Sequence, residues 1–216
     1  MRRIFAFKRS LMLIGICALL LGLVLPLAAF ARTTSGPAQS ANTFTFRVVP
    51  FEFDPGKTMI VSAEWGRAQG LSDQHGSNNY ALLLTKIGTT STDAASGASI
   101  TNVKGITLTE LGFDVRADGH CGAGAPRFNV VTTDGTTHFT SCVAAPTTAT
   151  LIDPQGNSWL RKRFDLSSAS TNVFPPLTAG EKVSNIQIVF DEGTDNGPGY
   201  AFLDNIDING VLVGQP

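Results

Sequence analysis

Arg127-Phe128-Asn129-Val130-Val131-Thr132-Thr133-Asp134-Gly135-Thr136-Thr137-His138-Phe139-Thr140-Ser141-Cys142 is the stretch whose reading decides the fold. Two runs rich in Val, Thr and Phe flank Asp134-Gly135, a dipeptide that supplies the positive φ angles of a two-residue type I′ hairpin turn. Such a turn sets Thr133 against Thr136, Val130 against Phe139 and Arg127 against Cys142. Phe128, Val130 and Phe139 then share the core face, and Val131, His138 and Cys142 share the other. The period is two, which predicts an antiparallel hairpin.

Outward from this hairpin the same punctuation continues in both directions. Thr43 to Val49, Thr58 to Glu64, Asn79 to Lys86, Ala98 to Val103 and Ile106 to Arg116 read as strands, with Gly88 to Gly97 as a small-residue loop. Trp159 to Leu166, Val183 to Asp191 and Gly199 to Ile208 follow, and Asn209-Gly210 leads into Val211 to Val213. No window sustains a helical period and no repeat of fixed length recurs. Strands without helices to cover parallel faces predict two packed antiparallel sheets: an all-β, antiparallel β-sandwich, jelly-roll-like.

The N-terminus assigns a compartment. Arg2, Arg3, Lys8 and Arg9 precede an uncharged apolar run from Leu11 to Leu25, then Pro26 and the exit Ala29-Phe30-Ala31. This is the pattern of a secretory signal peptide over residues 1–31. An uncleaved anchor is the alternative, because Ser10 to Ala31 is long enough to span a bilayer. A lipoprotein signal is disfavoured by the bulky Ile16 directly before Cys17, where a small residue is required, and by the place of Cys17 inside the apolar run. Residues 32–42 (RTTSGPAQSAN) read as a flexible linker, and 43–216 as the β-sandwich domain.

Removing residues 1–31 from the 216 leaves 185, which suits one domain. The four basic residues of the leader depart while all 17 acidic residues stay, so 12 basic against 17 acidic residues give a net charge of −5. An acidic exported domain lacks the basic patches that nucleic acid or anionic lipid require. Cys17 leaves as well. Cys121 and Cys142 remain as an even pair in an oxidising compartment, which predicts one disulfide that pins Gly119 to Pro126 against the hairpin.

Several chemistries are absent from the motifs. There is no G-x-S-x-G elbow and no H-E-x-x-H helix. Gly122-Ala123-Gly124 leads into Pro126 and a strand, not a helix N-terminus, so it is no phosphate loop. A glycoside hydrolase needs two carboxyl groups roughly 5 to 9.5 Å apart. Glu52, Glu64, Glu110, Glu181 and Glu192 are available, but Trp65, Trp159, Tyr80 and Tyr200 are few rings for a glycanase cleft.

Glu64 to Tyr80 is the candidate ligand loop. Trp65 offers a stacking platform, while Arg67, Asp73, His75 and Asn79 offer polar contacts to sugar hydroxyls. The competing reading is a solvated inter-sheet loop with Trp65 as a core plug. Trp159, Arg161, Arg163 and Asp165 alternate onto one face, either for an acidic sugar or as the solvated side of a sheet. Asp191-Glu192-Gly193-Thr194-Asp195-Asn196 with Asp204-Asn205-Ile206-Asp207 is the richest cluster of oxygen ligands, of the kind calcium takes.

Tyr200-Ala201-Phe202-Leu203-Asp204-Asn205-Ile206-Asp207-Ile208 resembles the closing strand of secreted jelly-roll modules of the galactose-binding, carbohydrate-binding kind. The resemblance covers about the last twenty-five residues. It implies a structural calcium held by Asp204 near the first strand, with Glu52 and Asp54 as further ligands; Asp204 capping a turn or meeting an arginine is the alternative. The expectation is a non-catalytic module, secreted or held at the cell envelope, whose partner is a polysaccharide or other glycan of the cell wall or extracellular space. A secreted polysaccharide hydrolase and a structural or adhesive envelope protein stand as alternatives.

Overall fold

Thirteen strands run through residues 45–72, 79–166 and 172–214, the residues that the computed structural model describes. The leader, the linker and two candidate ligand residues, Asp73 and His75, lie outside them. The strands belong to one compact unit, Thr43–Pro216. They form two sheets in which every pairing is antiparallel.

Sheet A is built around β4 (Ala95–Thr101), β11 (Val183–Phe190), β6 (Arg127–Thr132) and β7 (Thr137–Thr140). Its edges are β1 (Arg47–Phe53) and β10 (Val173–Phe174), in the order β1-β4-β11-β6-β7-β10. Sheet B centres on β3 (Ala81–Lys86), β12 (Tyr200–Ile208), β5 (Leu111–Arg116) and β9 (Ser158–Phe164). Its edges are β2 (Val61–Gly66) and β8 (Thr147–Ile152), in the order β2-β3-β12-β5-β9-β8, and β13 (Val211–Val213) adds to β12. Without the edge strands the orders are β4-β11-β6-β7 and β3-β12-β5-β9. That is the arrangement in which two Greek keys fold over one another as a jelly roll.

Period-two burial makes the core. Phe128 and Val130 of β6, Ile186, Ile188 and Phe190 of β11, and Leu111, Phe113 and Val115 of β5 all point between the sheets. Phe113, Phe128 and Phe164 meet across the sandwich with ring centroids 5.4–5.6 Å apart, joining both sheets. Aromatic contacts of this kind add about 0.5–1.5 kcal/mol beyond the area they bury.

The hairpin forms, but one residue out of the expected register. Val130 faces His138 rather than Phe139, and the connection has three residues, Thr133 to Gly135, with Gly135 at φ +92°. A shift of one residue turns every side chain of the returning strand over. His138 and Cys142 are therefore buried, and Phe139 is exposed. The physical cause is the Asp134 carboxylate. It accepts from the Thr132 hydroxyl (2.7 Å), the Thr136 amide (2.9 Å) and the Thr136 hydroxyl (3.0 Å), which stabilises the longer turn.

Those bonds hold the Asp134 carboxyl at about 2, below its ordinary 3.8. A carboxylate depressed in the folded state stabilises above its unfolded pKa, and that contribution is lost as pH falls through the folded value. A side-chain NMR titration of Asp134 is therefore expected to show a midpoint near 2, with the hairpin turn loosening below it. A midpoint at 3.8 would show that the three bonds do not form in solution.

The disulfide joins Cys121 to Cys142, with Cα atoms 5.2 Å apart and a sequence separation of 21. In the chain-entropy treatment a loop of that size contributes about 3 kcal/mol. Two strands escaped the sequence reading. β8 (TTATLI) lies between Pro146 and Asp153-Pro154, where turn residues mask it, and β10 has only two residues.

Candidate functional site

The predicted ligand loop is only partly brought together. Trp65 lies on the core side of β2, where it packs against the main hydrophobic cluster, and its indole N–H donates to the Val48 carbonyl (3.2 Å). Its ring thus closes the seam between β1 and β2. Arg67 is exposed. Asn79 takes a positive φ of 44°, and its carbonyl accepts from the amides of Gln69 (3.0 Å) and Gly70 (2.8 Å), closing the stem of the loop. Asp73 and His75 are outside the described residues.

The three implied calcium ligands do not fit a calcium ion. Glu52 and Asp54 lie at the end of β1 in sheet A, whereas Asp204 lies in the middle of sheet B. The Asp204 oxygens accept from the Leu71 amide (2.7 Å) and the Asn205 amide (2.6 Å). Asp54 accepts from the Thr58 hydroxyl and the Met59 amide, and Glu52 from the Ala63 amide. Among the described residues no group of three or more His, Cys, Asp or Glu is arranged to hold a metal. The resemblance placed Asp204 beside the first strand; the jelly roll puts the two in opposite sheets.

Trp159, Arg161 and Arg163 do share the outer face of sheet B, but as part of a buried network. Asp114, fully buried, accepts from Arg161 through both oxygens (2.9 Å each) and from the Asn205 side-chain amide (2.8 Å). The hydrogen bond to Asp114 raises the Arg161 pKa above its usual value. Arg163 meets Asp207 at 3.1 Å, and burial pushes the Asp207 carboxyl upward. Trp159 is fully buried and donates to Asp153 (3.0 Å). These charges answer one another, so Arg161 and Arg163 are both paired within the face rather than turned toward an acidic sugar.

A cleft of about 620 Å³ opens at one end of the sandwich. It is lined by Phe53, Thr90, Asp93, Asp191, Glu192 and Asn196, among others, from the ends of β1 and β11 and the segment between β3 and β4. Lys86, 1% exposed, sits beneath. Its ammonium donates to the carbonyls of Thr92 and Asp191 (2.7 Å each), tying two rim segments together. Asp191 takes Arg127 in a bidentate pair (2.6 and 2.7 Å), and Glu192 pairs with the buried His120. Gly122 and Gly124 leave room for that carboxylate, since a Cβ on either would collide with it. Of the residues 191–196 that read as oxygen ligands, Asp191, Glu192 and Asn196 thus line a cleft, with Asp191 and Glu192 engaged by Arg127 and His120.

The cleft continues onto the outer face of sheet A. Phe53 pairs with Ala95 in the sheet, and both line the cleft. Next along the strand Phe51 lies across Gly97, where a Cβ would enter the ring. Ser99, Gln187 and Asn129 stand in one cross-strand row between Val49 on β1 and Phe139 on β7, and Phe139 pairs with Phe174. Phe53 is 51% exposed, Phe139 41% and Phe174 76%. Five strand spacings separate β1 from β10, about 24 Å at roughly 4.8 Å each. The sequence signal for half of this face was the alternation Val49, Phe51, Phe53. For Phe139 the one-residue register shift concealed it.

No known protein family, curated protein or solved structure matches the chain.

Proposed function

We propose that the protein is an exported, non-catalytic module that binds extracellular or cell-wall carbohydrate. The observation that carries this reading is the acidic cleft rimmed by Phe53 and continuous with a sheet face where Ser99, Gln187 and Asn129 stand between the exposed Val49 and Phe139. Sugar rings present C–H faces to aromatic rings and hydroxyls to carboxylates and amides, and the cleft and face offer both. The disulfide suits an oxidising compartment. A polysaccharide hydrolase is the second reading, favoured because Asp93 and Glu192 line one cleft. Against it, Asp191 and Glu192 are each already engaged by a basic side chain, Arg127 and His120.

The discriminating experiment is a panel of soluble and insoluble polysaccharides, run with calcium and with EDTA, in which released sugars are also measured. Binding without release, unchanged by EDTA, is expected. Release would establish the hydrolase, and silence throughout would leave a structural or adhesive envelope protein. Full burial of a phenylalanine is worth roughly 1.5–3 kcal/mol, so removing the half-exposed ring of Phe53 should weaken glycan binding by about tenfold. Affinity electrophoresis of Phe53→Ala checks this; unchanged mobility shift would remove Phe53 from the site.

A further inference from the structure

We propose that two copies of the chain associate by antiparallel pairing of their β8 strands, extending sheet B across a two-fold axis. A strand edge carries unpaired N–H and C=O groups, and proteins blunt such edges with proline, charge, shortness or cover. The other edges here are blunted. β1 contains Pro50 and carries Arg47 and Glu52. β2 carries Glu64 and is covered by β1, through the Trp65 indole bond to Val48 and the Ala63 amide bond to Glu52. β10 has two residues followed by Pro175, and β13 has three.

β8 is different. Its six residues, Thr147–Ile152, contain no charge and no proline. Thr147, Thr148, Thr150 and Ile152 are exposed, the last by 64%, and among the described residues β8 pairs with β9 alone. A bulge at Thr148 bends its first half, which leaves Ala149 to Ile152 as the regular run.

The occupant follows from symmetry and charge. A two-fold axis perpendicular to the sheet requires residues of like face to oppose one another, because side chains alternate. Thr150 on the axis meets this condition. It sets Thr150 against its own copy and Ala149 against Leu151 of the second copy, with no charge repelling another. Cross-strand Thr pairs and apolar pairs are both favourable. A contact of one strand is small, so the dimer belongs with weak interfaces below about 1,200 Å².

Sedimentation equilibrium of the disulfide-bonded protein, up to millimolar concentration, tests this. The weight-average mass is expected to rise from one chain toward two, with Thr150→Val behaving as wild type. Thr150→Lys and Thr150→Glu should each remain at one chain, because like charges then face across the axis, and an equimolar mixture of the two should recover the dimer. Hydrogen exchange at Thr150 and Ile152, whose amides alternate away from β9, slowing with concentration in the wild type, gives a readout independent of any variant. A wild type that stays at one chain, a Thr150→Lys protein that dimerises like wild type, or a mixture that stays monomeric would each overturn the proposal.

Discussion

Replacing Asp114 with alanine is expected to lower the free energy of unfolding by about 3–5 kcal/mol, the cost of breaking a buried ion pair from one side. Asp114 is completely buried on the outer face of sheet B, between Arg161 on β9 and Asn205 on β12. Without it Arg161, whose side chain is 30% exposed, loses its bidentate counter-charge, while Arg163, 3.9 Å from Asp114, keeps Asp207 (3.1 Å) and Glu110 (3.5 Å). Urea unfolding of Asp114→Ala, Arg161→Met and the double variant measures this. The double variant should be markedly more stable than the sum of the two single losses predicts, because it removes the orphaned charge with its partner. Additive losses would show that Asp114 and Arg161 do not act as a unit.

Lys86→Met is expected to cost about 1–3 kcal/mol and to weaken glycan binding at the same time. Methionine fills nearly the same volume but donates nothing, so the Asp191 carbonyl loses the ammonium and the Thr92 carbonyl keeps only the Ala94 amide (2.8 Å). A buried acceptor left without a partner costs about 1–3 kcal/mol. Those carbonyls belong to the segments after β3 and after β11, which carry Asp93 and Glu192 into the cleft. Stability and binding should therefore fall together. Thermal unfolding and affinity electrophoresis, run beside Thr90→Ala as a rim control, give both readings. Wild-type stability in Lys86→Met would show that the rim segments hold their shape without the ammonium.

The all-β class, the pairing of the cysteines and most of the strands were legible because alternation and turn chemistry are local. The register of the 127–142 hairpin was not. Asp134-Gly135 serves a two-residue turn and a three-residue turn alike, and the bonds to Thr132 and Thr136 choose between them. Lys86 and Lys162 occupy core-facing positions of β3 and β9, where a charge reads as a strand end or a solvated face. Their ammonium groups instead reach carbonyls of distant segments, Asp191 in the first case and Ala145 in the second. The cleft was illegible for the same reason: Phe53, Asp93 and Glu192 are far apart in sequence and meet only once two Greek keys have closed. The Trp65 reading rested on residue type and the Asp204 reading on the resemblance of its strand. Their hydrogen bonds, to Val48 and to Leu71, reflect which sheet each strand joined.

The most direct test of the account is amide chemical-shift mapping of the isotope-labelled protein titrated with soluble neutral polysaccharides and their oligosaccharides. Saturable shifts are predicted at Phe53, Asp93, Glu192 and Asn196 around the cleft, extending to Gln187, Asn129 and Phe174 for longer chains. Shifts confined to residues 64–80, or no shift at saturating concentrations of every glycan, would contradict it.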